Sequence, residues 1–281
     1  MALANHTASR SIPSRAFSSR TSRCNAPFTE RPHADLERRF MRDETPFRIR
    51  RGLMRALQVD GTFNARAFGA LRSPWLVRSG SLDRLSTDGE AALRDLGVTL
   101  VVDLREDGER PEVAHGLEVR SIPLYRATDG VPLTGTLEGV YELLLRTRGA
   151  ELAAAVAVIA GAEGAILVHC TAGKDRTGLV VALALLAGGA PRDMVLSDYA
   201  ASGPSVAPAR MEAVTALLAE LTLDDAQRAD ALRLHLDSPR EALEHALAVL
   251  DELGGPRRFL SEHGLTDGQF RVLADRVAAL A

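Results

Sequence analysis

A cysteine with an arginine six positions later, Cys170 and Arg176, frames the run His169-Cys170-Thr171-Ala172-Gly173-Lys174-Asp175-Arg176-Thr177-Gly178. Thr171, Ala172 and Gly173 are small enough for the backbone to curl so that successive N–H groups point inward, an anion nest that a following helix N-terminus completes. Such a nest suits a phosphate or a sulfate. The same positive field acts on Cys170 at the rim. Helix N-termini with cationic neighbours lower a thiol pKa from about 8.5 into the range of about 3.5 to 7.5, so Cys170 is expected to act as a thiolate nucleophile near neutral pH. Arg176 opens the helix and can fold back, its planar fork giving two parallel hydrogen bonds to a phosphoryl group, which a lysine cannot supply. The phosphate-binding set therefore runs over Thr171, Ala172, Gly173, Lys174, Asp175, Arg176 and Thr177. The Thr177 hydroxyl is expected near the sulfur, and His169 is expected to orient the loop through hydrogen bonds to backbone. Backbone dipoles and Arg176 can stabilise the charge that a metal stabilises elsewhere, so neither metal nor cofactor is expected.

A loop of this kind needs a strand to deliver it and a helix to receive it. Ala165 to Val168 reads as a short buried strand and Arg176 to Gly188 as an apolar helix. The run thus falls at the carboxyl end of a strand, where open α/β sheets bind ligands. Upstream, Trp75 to Val77 is a short apolar strand, and Thr87-x-x-Glu90 is a capping box opening a helix that Gly97 ends. Val98 to Leu104 has the β-branched character of a buried strand, Leu117 to Pro123 alternates as another, and Leu137 to Ala160 carries helical periodicity broken at Gly149. The alternation predicts an α/β fold with a mostly parallel central sheet flanked by helices. Everything past Pro191 reads as largely helical, with a Ser238-Pro239-x-Glu241 start, a Gly254-Gly255 stop and a final Thr266-x-x-Gln269 capping box.

Cys-x5-Arg preceded by His and followed by Thr-Gly resembles the signature of the cysteine-dependent protein tyrosine phosphatase superfamily. The fuller run is similar to that of a bacterial tyrosine/serine phosphatase subfamily typified by the mycobacterial tyrosine phosphatase B. Arg78-Ser79-Gly80-Ser81-Leu82, Val102-Asp103-Leu104-Arg105, Asp198-Tyr199 and Gly254-Gly255 with Phe259-Leu260 and Gly264-Leu265 are similar as well. The resemblance covers about residues 60 to 281. It implies a protein tyrosine phosphatase-like fold, hydrolysis of phosphotyrosine through a cysteinyl-phosphate, and phosphoserine, phosphothreonine and phosphoinositides as further substrates. It also implies a helical lid or support region over about 191–281 of a phosphatase domain spanning 46–281.

A phosphatase of this kind needs a carboxylic acid to protonate the leaving oxygen. The sequence has no Trp-Pro-Asp, the usual home of that acid. Asp175 in the loop is the first candidate, followed by Asp103 at a strand end on the same edge, for which pairing with Arg105 is the alternative. Asp129, a turn residue before Gly130, ranks last. The Gly173-Lys174 pair resembles that of lipid phosphatases, where extra charge meets extra phosphates, although such loops usually carry another basic residue at the position of Thr171. Two other functions compete with a phosphatase. A catalytically inactive module would bind phosphate with the same nest. Sulfur or arsenate chemistry at such a thiolate normally calls for resolving cysteines close by, and the second of the two cysteines is the remote Cys24.

Composition narrows the remaining classes. With 281 residues, 46% hydrophobic and 25% charged, the chain is neither collagen-like nor a disulfide scaffold nor disordered throughout. Its longest apolar runs fall short of the roughly 18 to 20 residues a membrane-spanning helix needs, so no integral membrane association is expected. Two cysteines fit a reducing compartment and point to the cytoplasm. Residues 1–55 hold 12 Arg against 5 acids, leaving 22 basic and 32 acidic residues beyond them. The folded part is therefore acidic and is not expected to bind nucleic acid. Residues 1–45, rich in Ser and Arg, are expected as a disordered arm, a composition that a mitochondrial transit peptide shares, and Met41 and Met54 are alternative starts. Lys174 is the single lysine of the chain.

Overall fold

The computed structural model describes residues 54–110, 115–125 and 132–280. The expected arm over 1–45, Cys24 and Asp129 lie outside them. The described residues contain a sheet of six strands, β1 Met54–Ala56, β2 Arg66–Ala70, β3 Ser73–Ser79, β4 Val98–Asp103, β5 Val119–Ser121 and β6 Ala165–His169, in the order β1-β2-β3-β6-β4-β5. Strands β3, β6, β4 and β5 run parallel, while β1 and β2 add an antiparallel edge. The mostly parallel sheet read from the sequence is therefore present, with a hairpin that the pattern did not reveal.

Alternate residues of the central strands bury against opposite layers, and for that reason these strands read as nearly unbroken apolar runs. Leu76, Val102, Ile166 and Val168 join the larger core. Their neighbours Val77, Val101 and Leu167 join a second cluster with Leu93 and Leu96. The second cluster lies under α1, Thr87–Asp95. The larger face is covered by α2 Leu137–Thr147, α3 Gly149–Gly161 and α4 Asp175–Ala187, with α5 Arg192–Ala200, α8 Arg240–Glu252, α9 Gly255–Glu262 and α10 Asp267–Ala278 packed around them. Helix α4 is buried on nearly every side, which is where an all-apolar helix belongs. Between α5 and α8, α6 Gly203–Ala219 and α7 Asp225–Leu236 form a pair with a small core of their own, Val214, Leu218, Ala231 and Leu236. Arg233 on α7 holds Glu138 on α2 with two hydrogen bonds of 2.7 and 2.9 Å. No helix among the described residues is long and apolar enough to cross a membrane.

Two helix starts differ from expectation. The cap of α1 is Ser86, whose hydroxyl accepts from the Gly89 amide at 3.0 Å, one residue ahead of the expected Thr87. Glu90 is thereby free to bond Arg94 and the Gly116 amide. Ser238 caps a neighbour instead of α8: its hydroxyl accepts from Gly203 N at 2.6 Å and donates to Ala200 O at 3.2 Å, tying α8 to the α5–α6 corner. The break at Gly149, the left-handed Gly97, Gly254 and Gly255, and the Thr266–Gln269 capping box are as read from the sequence.

Candidate active site

Strand β6 ends at His169 and α4 begins at Asp175, so Cys170 to Lys174 form the turn between them. The turn passes through Gly173 at φ +68°, and a Cβ there would lie 2.1 Å from the Ser79 carbonyl oxygen, so only glycine fits. The carbonyls of the turn are held from behind. Ser81 N donates to Thr171 O at 3.2 Å, Asn64 Nδ2 donates to Ala172 O and Gly173 O at 3.1 and 3.0 Å, and Arg78 Nη2 donates to Gly173 O at 2.7 Å. The amides of Thr171, Ala172, Gly173 and Lys174 donate to no described residue. With its acceptors turned outward and occupied, the loop offers unsatisfied donors to an anion.

The donors behind the loop are themselves fixed by a buried ion cluster. Asp198 on α5 bonds Arg66 Nε at 2.8 Å and also Arg78 Nη1, while Arg66 Nη2 donates to Ser202 Oγ at 2.9 Å. Arg66, Arg78 and Asp198 are 4, 0 and 2% exposed. Burial lowers the Arg66 pKa to about 10, still charged at neutral pH. Burial also acts to raise the Asp198 pKa, but Arg78 and Arg66 outweigh it and hold the carboxyl below its ordinary range. Two guanidiniums against one carboxylate leave a net positive charge beneath the nest.

Across the loop, Arg176 is 4% exposed and is gripped by Glu109, which lies on the short 3-10 turn Asp107–Glu109. Glu109 Oε1 accepts from Arg176 Nη2 at 2.7 Å and from Thr171 Oγ1 at 2.6 Å, and Oε2 accepts from Nη1. Burial raises the Glu109 pKa, yet Arg176 and Thr171 outweigh it and keep Glu109 ionised. The Tyr125 ring lies 4.7 Å from the guanidinium carbon. Glu109 occupies the Nη1–Nη2 edge, Nη2 also donates a long bond of 3.4 Å to Thr171 Oγ1, and Nε donates to no described residue, so the Nε–Nη2 edge is the less occupied fork and the one that could receive a phosphoryl group.

The carboxylates proposed from sequence occupy different settings. Asp175 Oδ1 accepts from Lys174 Nζ and from Tyr141 Oη, both at 2.6 Å, and Tyr141 Oη is 2.6 Å from Tyr199 Oη. Asp175 Oδ2 bonds no described residue. Lys174 is fully buried. Asp103 is 2% exposed and tied to Arg105, with hydrogen bonds from Nε at 3.0 Å and Nη2 at 3.0 Å. Burial raises its pKa, but the hydrogen bonds and charge of Arg105 outweigh that and hold the carboxyl ionised. Arg105 also bonds Asp83, so the Asp103–Arg105 pair read as the alternative to catalysis is formed. Thr177 Oγ1 is buried without a hydrogen-bond partner among the described residues.

His169 is 2% exposed, its Nδ1 3.3 Å from Cys170 O and its Nε2 3.7 Å from Asp103 Oδ2. Burial pushes its pKa down to about 4, so it is neutral at pH 7. Between its ordinary value and about 4 the unfolded chain binds a proton that the folded one refuses, so acidification through that window destabilises the fold. At pH 5 the loss amounts to about 2 kcal/mol relative to pH 7. Urea unfolding of the parent and of His169→Gln at the two pH values measures it: the variant should lack about that much of the parent's pH dependence, and equal dependence would contradict a buried neutral imidazole.

Sequence reading found the loop residues and missed what holds them. Asn64, Arg66, Glu109, Tyr141 and Ser202 carried no motif, while Arg78 and Asp198 fell in segments similar to the subfamily without an assigned part. For Arg66, Arg78, Tyr141 and Asp198 the one signal was polar character at positions that strand or helix periodicity turns inward; Asn64, Glu109 and Ser202 lie outside strands and long helices and gave none.

A family model described as the tyrosine phosphatase family matches residues 57–279. The triple specificity protein phosphatase PtpB of Mycobacterium tuberculosis is 32% identical, over 54% of this chain and 71% of that protein. A tyrosine-protein phosphatase of Nostoc commune is 30% identical, over 47% of this chain and half of that one. Among solved structures, that of P. aeruginosa TpbA is 21% identical with a TM-score of 0.34, covering 64% of this chain and 96% of that chain. With the family model spanning nearly all of the described residues, the chain belongs to the tyrosine phosphatase family and is an enzyme of the protein-tyrosine-phosphatase class.

Proposed function

We propose that this chain hydrolyses phosphate monoesters, phosphotyrosine first among them, through a phosphocysteine at Cys170 and without a metal. The observation that carries the reading is the loop with its carbonyls bonded from behind and four amides without a partner among the described residues, beside Cys170 and the Nε side of Arg176. Amides and guanidinium hold the three non-bridging oxygens while the Cys170 sulfur attacks phosphorus in line. The bond from phosphorus to the leaving oxygen breaks as Asp175 gives that oxygen a proton. Water then attacks phosphorus, Asp175 takes the proton back, the S–P bond breaks, and inorganic phosphate leaves with the thiolate regenerated. Thr177, whose buried hydroxyl has no partner among the described residues, supports the leaving sulfur in that second step. Phosphoserine, phosphothreonine and phosphoinositides extend the proposed substrate range, in keeping with the triple specificity in the name of the M. tuberculosis relative. The phosphatase domain is proposed to span 46–281, its helical part over about 191–281 covering the site.

Asp175 is favoured as the acid because both hydrogen bonds fall on Oδ1 and leave Oδ2 to carry the proton, whereas Asp103 is taken up by Arg105. Tyr141 is then a positioning residue, itself backed by Tyr199. A series of aryl phosphates with progressively poorer leaving groups tests both. General acid catalysis supplies about 10² to 10⁴-fold, so Asp175→Asn should lose on the order of 10²-fold on phenyl phosphate and little on p-nitrophenyl phosphate. Tyr141→Phe should show the same leaving-group pattern at about tenfold, the worth of one hydrogen bond to a charged group. An unchanged leaving-group dependence in Asp175→Asn would remove Asp175 from the acid role; a uniform loss in Tyr141→Phe would make Tyr141 merely structural.

A further inference from the structure

Strand β5 ends the sheet order, and no described strand pairs with its outer side. Its inner side is taken: Glu118 O accepts from Val101 N and Ile122 N donates to Asp103 O, both at 2.8 Å. Backbone groups of successive strand residues point to opposite sides, so Glu118, Arg120 and Ile122 turn theirs toward β4 while Val119 and Ser121 turn theirs outward. The run Glu118, Val119, Arg120 and Ser121 is exposed throughout, with Val119 42% exposed. An open edge is a template for another strand, and folded proteins blunt it with bulges, prolines or lysines. Strand β5 has none of these. Its flanking charges are of opposite sign, Glu118 and Arg120, two positions apart and therefore on one face, and neither side chain bonds a described residue.

We propose that β5 pairs antiparallel with β5 of a second copy about a two-fold axis at Val119, giving a weak dimer whose sheet runs through both chains; this is independent of the reaction at Cys170. In that register Val119 exchanges both backbone hydrogen bonds with its copy, and symmetry sets Glu118 opposite Arg120 twice. Unlike charges directly opposite stabilise a strand pair and like charges destabilise it. Registers centred on Glu118 or on Arg120 place like charges face to face, so the Val119 register is the one that pairs both charges. The strand is complementary to itself, as an isologous interface requires. Val119, whose partner Val101 in β4 belongs to the cluster under α1, meets its own copy on that face and loses its exposure to water.

Sedimentation of the full chain from about 10 μM to about 1 mM tests this, with circular dichroism as the check that each variant folds. One strand pair is a small interface, so the parent should pass from monomer to dimer within that range. Val119→Pro should stay monomeric with the parent's fold, because the N–H it removes faces away from β4. Glu118→Arg and Arg120→Glu each set like charges opposite and should each raise the dimer Kd by about tenfold or more. An equimolar mixture of those two variants sets unlike charges opposite again and should dimerise like the parent, as should the double variant with the charges exchanged. If Val119→Pro does not fold, the mixture and the exchanged pair carry the test. A parent that stays monomeric throughout would overturn the proposal and leave the edge to a different chain. A dimer that survives Val119→Pro, or that neither single charge variant weakens, would overturn it as well, since its interface then lies elsewhere.

Discussion

Cys170→Ser should lower turnover of phosphotyrosine peptides by a factor on the order of 10⁴ or more while leaving phosphate binding in the parent's range. In the proposed mechanism the two effects separate because the sulfur is the one protein atom that must bond phosphorus. The donors proposed to seat the phosphate are loop amides and Arg176, and they are fixed by Asn64, Arg78, Ser81 and Glu109, none of which bonds the Cys170 sulfur. Steady-state assays paired with a fluorescence or calorimetric titration of phosphate would show both. Comparable rates for the variant and the parent would exclude covalent catalysis at this position. Phosphate binding without turnover in either protein would leave a phosphate-reading module.

Arg176→Lys should cost about 10³-fold in kcat, close to what Arg176→Ala costs, although the lysine keeps the charge. The reason is geometric. Glu109 grips one edge of the guanidinium, the Nε–Nη2 edge is the one proposed to meet two phosphate oxygens, and a lysine has no second edge. A lysine there would be drawn to Glu109 and pulled off the substrate. Kinetics of the two variants on one aryl phosphate check this: a Lys variant within tenfold of the parent would show that charge alone suffices and that the fork plays no part.

The ten-residue loop was legible because its chemistry is contiguous: small residues for the curl, a nucleophile at one end and a fork at the other. Strands β4 and β6 and helix α4 were legible because burial on both faces makes each a continuous apolar run. The β1–β2 edge was not, because Asn64 at φ +56°, Arg66 and Gly69 interrupt the alternation that marks a strand. Those interruptions are the site's support: Asn64 bonds the loop carbonyls and Arg66 bonds Asp198, 132 residues away. Glu109 was equally hidden, since an acid on a charged turn reads as a solvated residue until the fold sets it against Arg176. Lys174 shows the converse. Its type and place in the motif suggested a charge for the substrate, whereas it is fully buried with Nζ 2.6 Å from Asp175 Oδ1, inside the loop's frame.

The most direct test of the central claim is a rapid-quench reaction of the parent with a phosphotyrosine peptide in the presence of EDTA, read by intact-protein mass and peptide mapping. The account predicts protein carrying one phosphoryl group on Cys170, formed before steady state and absent from Cys170→Ser. Turnover that proceeds with no phosphorylated Cys170, or that stops when metal is chelated, would contradict it.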